Sequence, residues 1–279
     1  MIAFLENYFI EEEKARLHIS DLSILRGFGI FDYFRTVNQK PLFLEEHINR
    51  LFQSAKLLEI KIPFSEQEII DIVFLLIAKN NIEDSGIRIT VTGGYSSDSY
   101  VIGKPNVLIT QQKINTPSEI ISEKGVKVVT HDYVRDLPQI KSINYLMGVY
   151  LQKKVKEQNA NDVLYVKNGL VTELPRANFF IVTPENKIIT STDNILYGIT
   201  RKKLLEWAQQ DFEIEVRNIK AAELSSCVEA FMTSTTKRIL PITQINSHVI
   251  GNGEAGAITK ALHQLFLQHE TEIVLSSVS

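Results

Sequence analysis

The sequence predicts an α+β protein built from two α/β-type domains, and three observations carry that expectation. Amphipathic helical runs and strand-like runs follow one another along the chain. The strand-like runs come in pairs around turn residues, as antiparallel hairpins do, and not singly between helices as in a doubly wound parallel sheet. A polar, proline-bearing stretch, "KINTPSEIIS", separates two such sets. With 279 residues the chain has room for two ordinary domains. The expected division is a small N-terminal α/β domain over 1–112, a connector over 113–122 and a large C-terminal domain over 123–279.

The elements follow in order. "EHINRLFQSAKLLEI" (46–60) carries apolar residues at 48, 51, 52, 55 and 58, the spacing of a helix with one buried face. "SEQEIIDIVFLLIAKN" (65–80) opens with Ser65 and Glu68, the residues of a capping box. "GIRITVTGG" (86–94) alternates like a strand and ends in a glycine turn, with "NVLIT" (106–110) as its neighbour. In the second part "VKVVT" is strand-like and a helix is expected over about 143–158. "DVLYVKNGLVTEL" reads as a hairpin around Asn168-Gly169. "NFFIVTPENKIITS" reads as another around Pro184-Glu185-Asn186, "TRKKLLEWAQQ" (200–210) as a helix, and "EAFMTSTTKRILPI" (229–242) as apolar runs flanking a hydroxyl-rich turn.

Composition narrows the function. A net charge of −3 and the absence of a dense Lys/Arg cluster argue against a nucleic-acid partner. The apolar run "IVFLLIA" is too short to span a bilayer, and the N-terminus lacks a basic leader, so a cytoplasmic protein is expected, with no membrane partner. One cysteine excludes intrachain disulfides, and six scattered histidines show no metal-ligand spacing, so no metal is expected.

Four pieces could carry chemistry. Lys141 stands in "IKSINYL" just after the breaker-rich "RDLPQ", where a reactive amine could be held. Glu173 ends a hairpin strand. Gly198, Ile199 and Thr200 precede a helix whose free N–H groups suit an anion, above all a phosphate. The hydroxyls and amides of "TSTT" (233–236) could contact the same anion, with Arg50 adding a charge-assisted bond. Singly, each has a plain alternative: a solvated lysine, a hairpin carboxylate, a helix cap, a local turn, a surface arginine.

Together and in this order they resemble the class IV aminotransferases, the D-amino-acid and branched-chain enzymes of fold type IV. The resemblance runs through "GFGIFDYFR", "EEHINRL", "KSINYL", "VTELPRANFFIV", "ILYGITR" and "FMTSTTKRILPI", from about Asp21 to Gln244. It implies pyridoxal 5'-phosphate as cofactor. Lys141 would form the Schiff base and then shuttle protons; a desolvated amine beside cations does this well. Glu173 would sit against the pyridine nitrogen and keep it protonated. Arg50, the N–H groups of Ile199 and Thr200, and Thr235 would hold the phosphate, and Tyr145 the ring's phenolic oxygen. The resemblance further implies amino acids and 2-oxo acids as small-molecule partners, and a homodimer with active sites at its interface.

The chain departs from the pattern in two places. Leu174, Pro175 and Arg176 follow Glu173 where a glycine is common. The arginine and histidine with which bacterial D-amino-acid enzymes trap the substrate carboxylate are replaced by Asp98 and Tyr100, and their tyrosine by Phe31. Asp98 would repel a carboxylate. Arg26, Arg35 and Arg88 are the candidate replacements. Arg35 and Arg88 match arginines of branched-chain enzymes, whose turn at Thr236 also offers N–H groups to the carboxylate. Arg26 and Arg88 are expected to rebuild the trap, unless Arg35 and Arg88 pair with acids such as Asp32 or Asp98. The expected activity is transamination by a ping-pong cycle, foremost of D-amino acids. The alternatives are a branched-chain L-amino-acid aminotransferase, a 4-amino-4-deoxychorismate lyase on the same scaffold, and a binder without turnover.

Overall fold

The computed structural model describes residues 1–276 and divides into two compact units. The first comprises Met1–Thr116, Ile140–Asn144 and residues 273–276; the second comprises Pro117–Gln139 and Tyr145–Glu272.

The first unit contains β1 (Ile2–Leu5), β2 (Tyr8–Glu11), α1 (Leu22–Arg26), β3 (Gly29–Val37), β4 (Lys40–Pro41), α2 (Leu44–Leu57), α3 (Glu66–Asn80), β5 (Ser85–Thr92) and β6 (Val107–Lys113). Its strands form one antiparallel sheet in the order β2-β1-β6-β5-β3-β4. Helices α2 and α3 pack on it, burying Ile48, Leu51, Ile69 and Val73 against Ile30, Phe34, Ile87 and Ile89. The capping box of α3 is formed in both directions: Glu68 N–H donates to Ser65 Oγ (3.3 Å) and Ser65 N–H to Glu68 Oε2 (2.7 Å). Strand alternation sets the opposite face. Register places Phe31 opposite Thr90, Tyr33 opposite Arg88 and Arg35 opposite Gly86.

Residues 140–144, expected with the second domain, belong to the first unit. Backbone bonds to β3 explain this: Phe31 N–H donates to Lys141 O (2.9 Å) and Ile143 N–H to Gly29 O (3.0 Å). Ile140 joins the first unit's core.

The second unit contains β7 (Val126–Asp132), α4 (Leu146–Tyr150), α5 (Gln152–Glu157), β8 (Asp162–Lys167), β9 (Leu170–Val171), β10 (Glu173–Leu174), β11 (Ala177–Val182), β12 (Ile188–Thr190), α6 (Ile199–Ala208), β13 (Ile214–Val216), β14 (Ile219–Lys220), β15 (Glu229–Ser234), β16 (Arg238–Ile245), β17 (His248–Val249) and, as far as Glu272, α7 (Ala257–Ser276). The main path of its sheet runs β13-β12-β11-β15-β16-β7-β8-β9-β14, with β10 on β11 and β17 on β16. Hairpins dominate, but β12/β13, β16/β7 and β7/β8 are parallel. Asn168 and Gly169 both take positive φ (50° and 75°), the conformation a two-residue hairpin turn demands. The single helix expected over 143–158 is instead two short ones: Ile143 is still bonded to β3, and Leu151, with ψ −6°, breaks the remainder. Among the described residues no helix is long and apolar enough to cross a membrane.

Candidate active site

In the first unit the bonds of Lys141 and Ile143 to β3 fix the backbone of Lys141, and Ser54 of α2 accepts its N–H (3.3 Å). Its Nζ lies 4.6 Å from the centroid of the Phe31 ring. The Arg88 guanidinium lies 3.8 Å from the same centroid, with its Nε donating to Thr90 Oγ1 (3.3 Å). A buried aromatic ring therefore serves as a shared platform for two cations, each attracted to its negative faces.

On the opposite side of β3, Asp32 is fully buried and gathers two partners from α2. Arg50 binds it bidentately, Nε to Oδ2 at 2.8 Å and Nη2 to Oδ1 at 2.7 Å, and His47 Nδ1 lies 2.6 Å from Oδ1. Burial alone would raise the Asp32 carboxyl, but Arg50 and His47 outweigh it and hold the group well below the usual range. Burial pushes His47 down, aided by Arg50 and Lys141 and opposed by Asp32. A neutral imidazole facing a carboxylate, which can only accept, carries its proton on Nδ1 and donates it. Sequence reasoning gave Arg50 a role and His47 none. The signal was present: residues three apart on a buried helix face point the same way.

The substrate-side candidates are placed as follows. Arg35 is buried in β3. Arg26, expected in a loop, is the last residue of α1; its Nη1 donates to Leu25 O (2.8 Å) and its guanidinium lies 6.0 Å from the Tyr100 ring centroid. Asp98 caps the turn after it, accepting from the N–H groups of Tyr100 (2.9 Å) and Val101 (2.8 Å), and these bonds lower its pKa. Asp32, offered as an arginine partner, pairs with Arg50.

In the second unit Glu173 is buried and doubly held. Arg135 Nε donates to Oε1 (2.7 Å) and Leu196 N–H to Oε2 (2.9 Å). The ion pair and the N–H offset the cost of burying the carboxylate. Leu174, in place of a glycine, is wholly buried in the unit's core. Helix α6 begins at Gly198 with no side chain capping it, and Ile199 and Thr200 are buried. First-turn N–H groups have no acceptor within their own helix. Helix α6 packs on β15, where Thr233 Oγ1 and Ser234 Oγ are buried without a hydrogen-bond partner. The strand leads into the turn Thr235–Lys237, in which Thr236 is exposed, closed by Lys237 N–H to Ser234 O (3.2 Å) and by Arg238 at φ 53°. Tyr145 stands at the start of α4.

Orphaned hydroxyls and an uncapped, buried helix N-terminus suit an anionic guest, and the firmly held Glu173 is a suitable partner for a basic ring nitrogen. These residues fit pyridoxal 5'-phosphate. Among the described residues no group of His, Cys, Asp or Glu could hold a metal ion.

Comparison with known proteins agrees with this chemistry. Residues 29–245 match the model of a family described as amino-transferase class IV. A D-alanine aminotransferase of Bacillus licheniformis is 33% identical over 258 residues, covering 90% of each chain. A provisionally named branched-chain-amino-acid aminotransferase of Methanocaldococcus jannaschii is 31% identical, covering 98% of this chain and 97% of its own. The fold is similar to that of a T.th. branched-chain amino acid aminotransferase with pyridoxamine 5'-phosphate, with a TM-score of 0.89 at 23% identity, covering 97% of this chain and 94% of the other.

Proposed function

This chain belongs to the amino-transferase class IV family, and we propose that it exchanges an amino group between an amino acid, foremost a D-amino acid, and a 2-oxo acid. The family depends on pyridoxal 5'-phosphate, which when bound supplies an electron-accepting ring that stabilises charge at the substrate α-carbon. One observation carries the assignment of roles: Lys141, fixed by its backbone to β3, directs its Nζ to the ring it shares with Arg88.

Lys141 Nζ is the covalent attachment point and the atom that moves the proton from the substrate α-carbon. Glu173, oriented by Arg135 and Leu196, holds the proton of the pyridine nitrogen. Arg50, oriented by Asp32, acts with the N–H groups of Ile199 and Thr200 and with Thr235 on the phosphate; Tyr145 donates to the phenolic oxygen. Arg88 and Arg26 receive the substrate carboxylate, Arg35 and Phe31 complete the wall, and Thr236 offers backbone N–H. The enzyme works as a homodimer.

The D-alanine aminotransferases similar along nearly the whole chain support the D-amino-acid reading. Arg35 and Arg88, which share a face of β3 and β5 with Phe31 and Tyr33, favour a second reading, a branched-chain L-amino-acid aminotransferase. Half-reactions separate them. The purified protein, loaded with pyridoxal 5'-phosphate, is mixed with D-alanine, D-glutamate, L-leucine or L-glutamate without a 2-oxo acid, and loss of the visible band is followed. Bleaching by the D-amino acids alone is expected; bleaching by the L-amino acids alone transfers the assignment, and bleaching by none removes the transaminase reading. Replacing Arg88 with leucine is expected to raise KM for the amino acid roughly tenfold, as loss of a charge-assisted bond would. An unchanged KM would take Arg88 out of the site.

A further inference from the structure

We propose that Asn178 is a positioning residue that couples the two ends of the cofactor site, the acid for the ring nitrogen and the cradle for the phosphate, by gripping Leu196. The inference rests on the cofactor roles given above for Glu173 and α6.

Register first places three side chains in one row. Glu173 of β10 lies directly opposite Asn178 of β11, and Asn178 directly opposite Thr233 of β15. Residues opposite one another across adjacent strands share a face. An acid, an amide and an orphaned hydroxyl thus stand in line across three strands, spanning about 10 Å, two strand spacings. The acid is the proposed ring-nitrogen partner, and the hydroxyl is the one left buried beside α6.

Asn178 holds the middle of this row to the chain that leads into α6. Its Nδ2 donates to Leu196 O at 2.7 Å, while Leu196 N–H donates to Glu173 Oε2 at 2.9 Å. One residue is therefore held at its N–H by the acid and at its carbonyl by the amide. Two residues later the chain reaches Gly198, the N-cap of α6. Gly198 has φ −66° and ψ 139°, a conformation open to any residue, so its backbone does not demand glycine. The constraint is the neighbouring amide: a Cβ on Gly198 would overlap Asn178 Oδ1, the end of a side chain whose nitrogen is held on Leu196, so that amide would have to shift. The amide thus bears on Leu196 through its nitrogen and on Gly198 through its oxygen. Any displacement of Leu196 moves the Glu173 carboxylate and the first turn of α6 together. Through this residue, phosphate binding sets the orientation of the acid.

The test compares apo protein titrated with pyridoxal 5'-phosphate and with pyridoxal, which lacks the phosphate, in the wild type, Asn178→Ala and Gly198→Ala. Thermal midpoints of the apo proteins are measured alongside. Loss of a buried hydrogen bond is expected to weaken pyridoxal 5'-phosphate about tenfold in Asn178→Ala while leaving pyridoxal within about twofold. The pH titration of the bound cofactor's visible band is expected to shift, because Leu196, one of the two groups that hold Glu173, is no longer fixed at its carbonyl. Gly198→Ala, which pushes on the same amide from the other side, is expected to reproduce both effects and decides the matter if Asn178→Ala does not fold. Unchanged affinity, or equal weakening of the two ligands with a lower midpoint, would overturn the coupling. A wild-type protein that does not bind pyridoxal 5'-phosphate would overturn the cofactor roles beneath it as well.

Discussion

Around Lys141 in the first unit, the buried charge of Asp32 is closed by its partners, the Arg50 fork and His47, while the half-buried lysine and the exposed Arg88 share the Phe31 ring. Around α6 in the second unit the polar groups are left open. Thr233 and Ser234 bury hydroxyls without partners, and no side chain caps the helix. A polar group buried without a partner costs about 1–3 kcal/mol, so an open set persists where a ligand completes it. A closed set fixes its side chains, here the Arg50 guanidinium. On the roles proposed above, the first unit orients a nucleophile and an arginine, and the second receives an anion.

Substitutions in either unit test this contrast. The largest effect is expected for Glu173→Gln, which keeps the shape but loses the charge that Arg135 holds: kcat should fall roughly a hundredfold or more in a transamination assay. Retained kcat would mean that the acid is only structural. Asp32→Ala opens the closed set by leaving Arg50 and His47 without their shared anion. Removing one partner of a buried ion pair costs about 3–5 kcal/mol, which denaturant unfolding would show. Thr233→Val does the reverse and closes part of the open set. The apo protein should be no less stable, because an unsatisfied hydroxyl is gone, while affinity for pyridoxal 5'-phosphate should drop severalfold. A large loss of apo stability would mean that the hydroxyl is satisfied without a ligand.

The smallest effect is on pH. Burial, with Arg50 and Lys141, holds His47 below its ordinary value of 6.5 against the pull of Asp32. The unfolded chain therefore takes up a proton near that pH which the folded chain refuses. Stability present above pH 6.5 is lost as the pH falls, at up to about 1.4 kcal/mol per pH unit from this group. Asp32 acts in the same direction, below its ordinary 3.8. Thermal midpoints should decline from neutral pH toward pH 5, less steeply in His47→Asn.

Local chemistry made much of the fold legible in the sequence. The Asn168-Gly169 turn, the Ser65/Glu68 cap and the buried stripe of α2 each follow from a few adjacent residues. Pairings distant in the chain were not legible. Nothing in "IKSINYL" says that it docks on β3, because the bonds involved are backbone bonds between segments about 110 residues apart. The parallel pairs of the second unit are hidden for the same reason. The short strands β1 and β2 offer too few residues for a period to emerge. Helix α7 carries Leu262 and Phe266 four apart, both buried, and could have been read. At the site, residue types and order pointed to Lys141, Glu173 and the start of α6. The roles of Asp32, Arg135 and Asn178 emerge only from what their side chains touch.

The proposed roles stand or fall with Lys141 as the residue that carries the cofactor. The most direct test is borohydride reduction of the protein loaded with pyridoxal 5'-phosphate, followed by digestion and mass spectrometry of the lysine peptides. A phosphopyridoxyl group on Lys141, absent after prior displacement by an amino acid, is the predicted result. A stoichiometric label on any other lysine, with Lys141 unmodified, would contradict it.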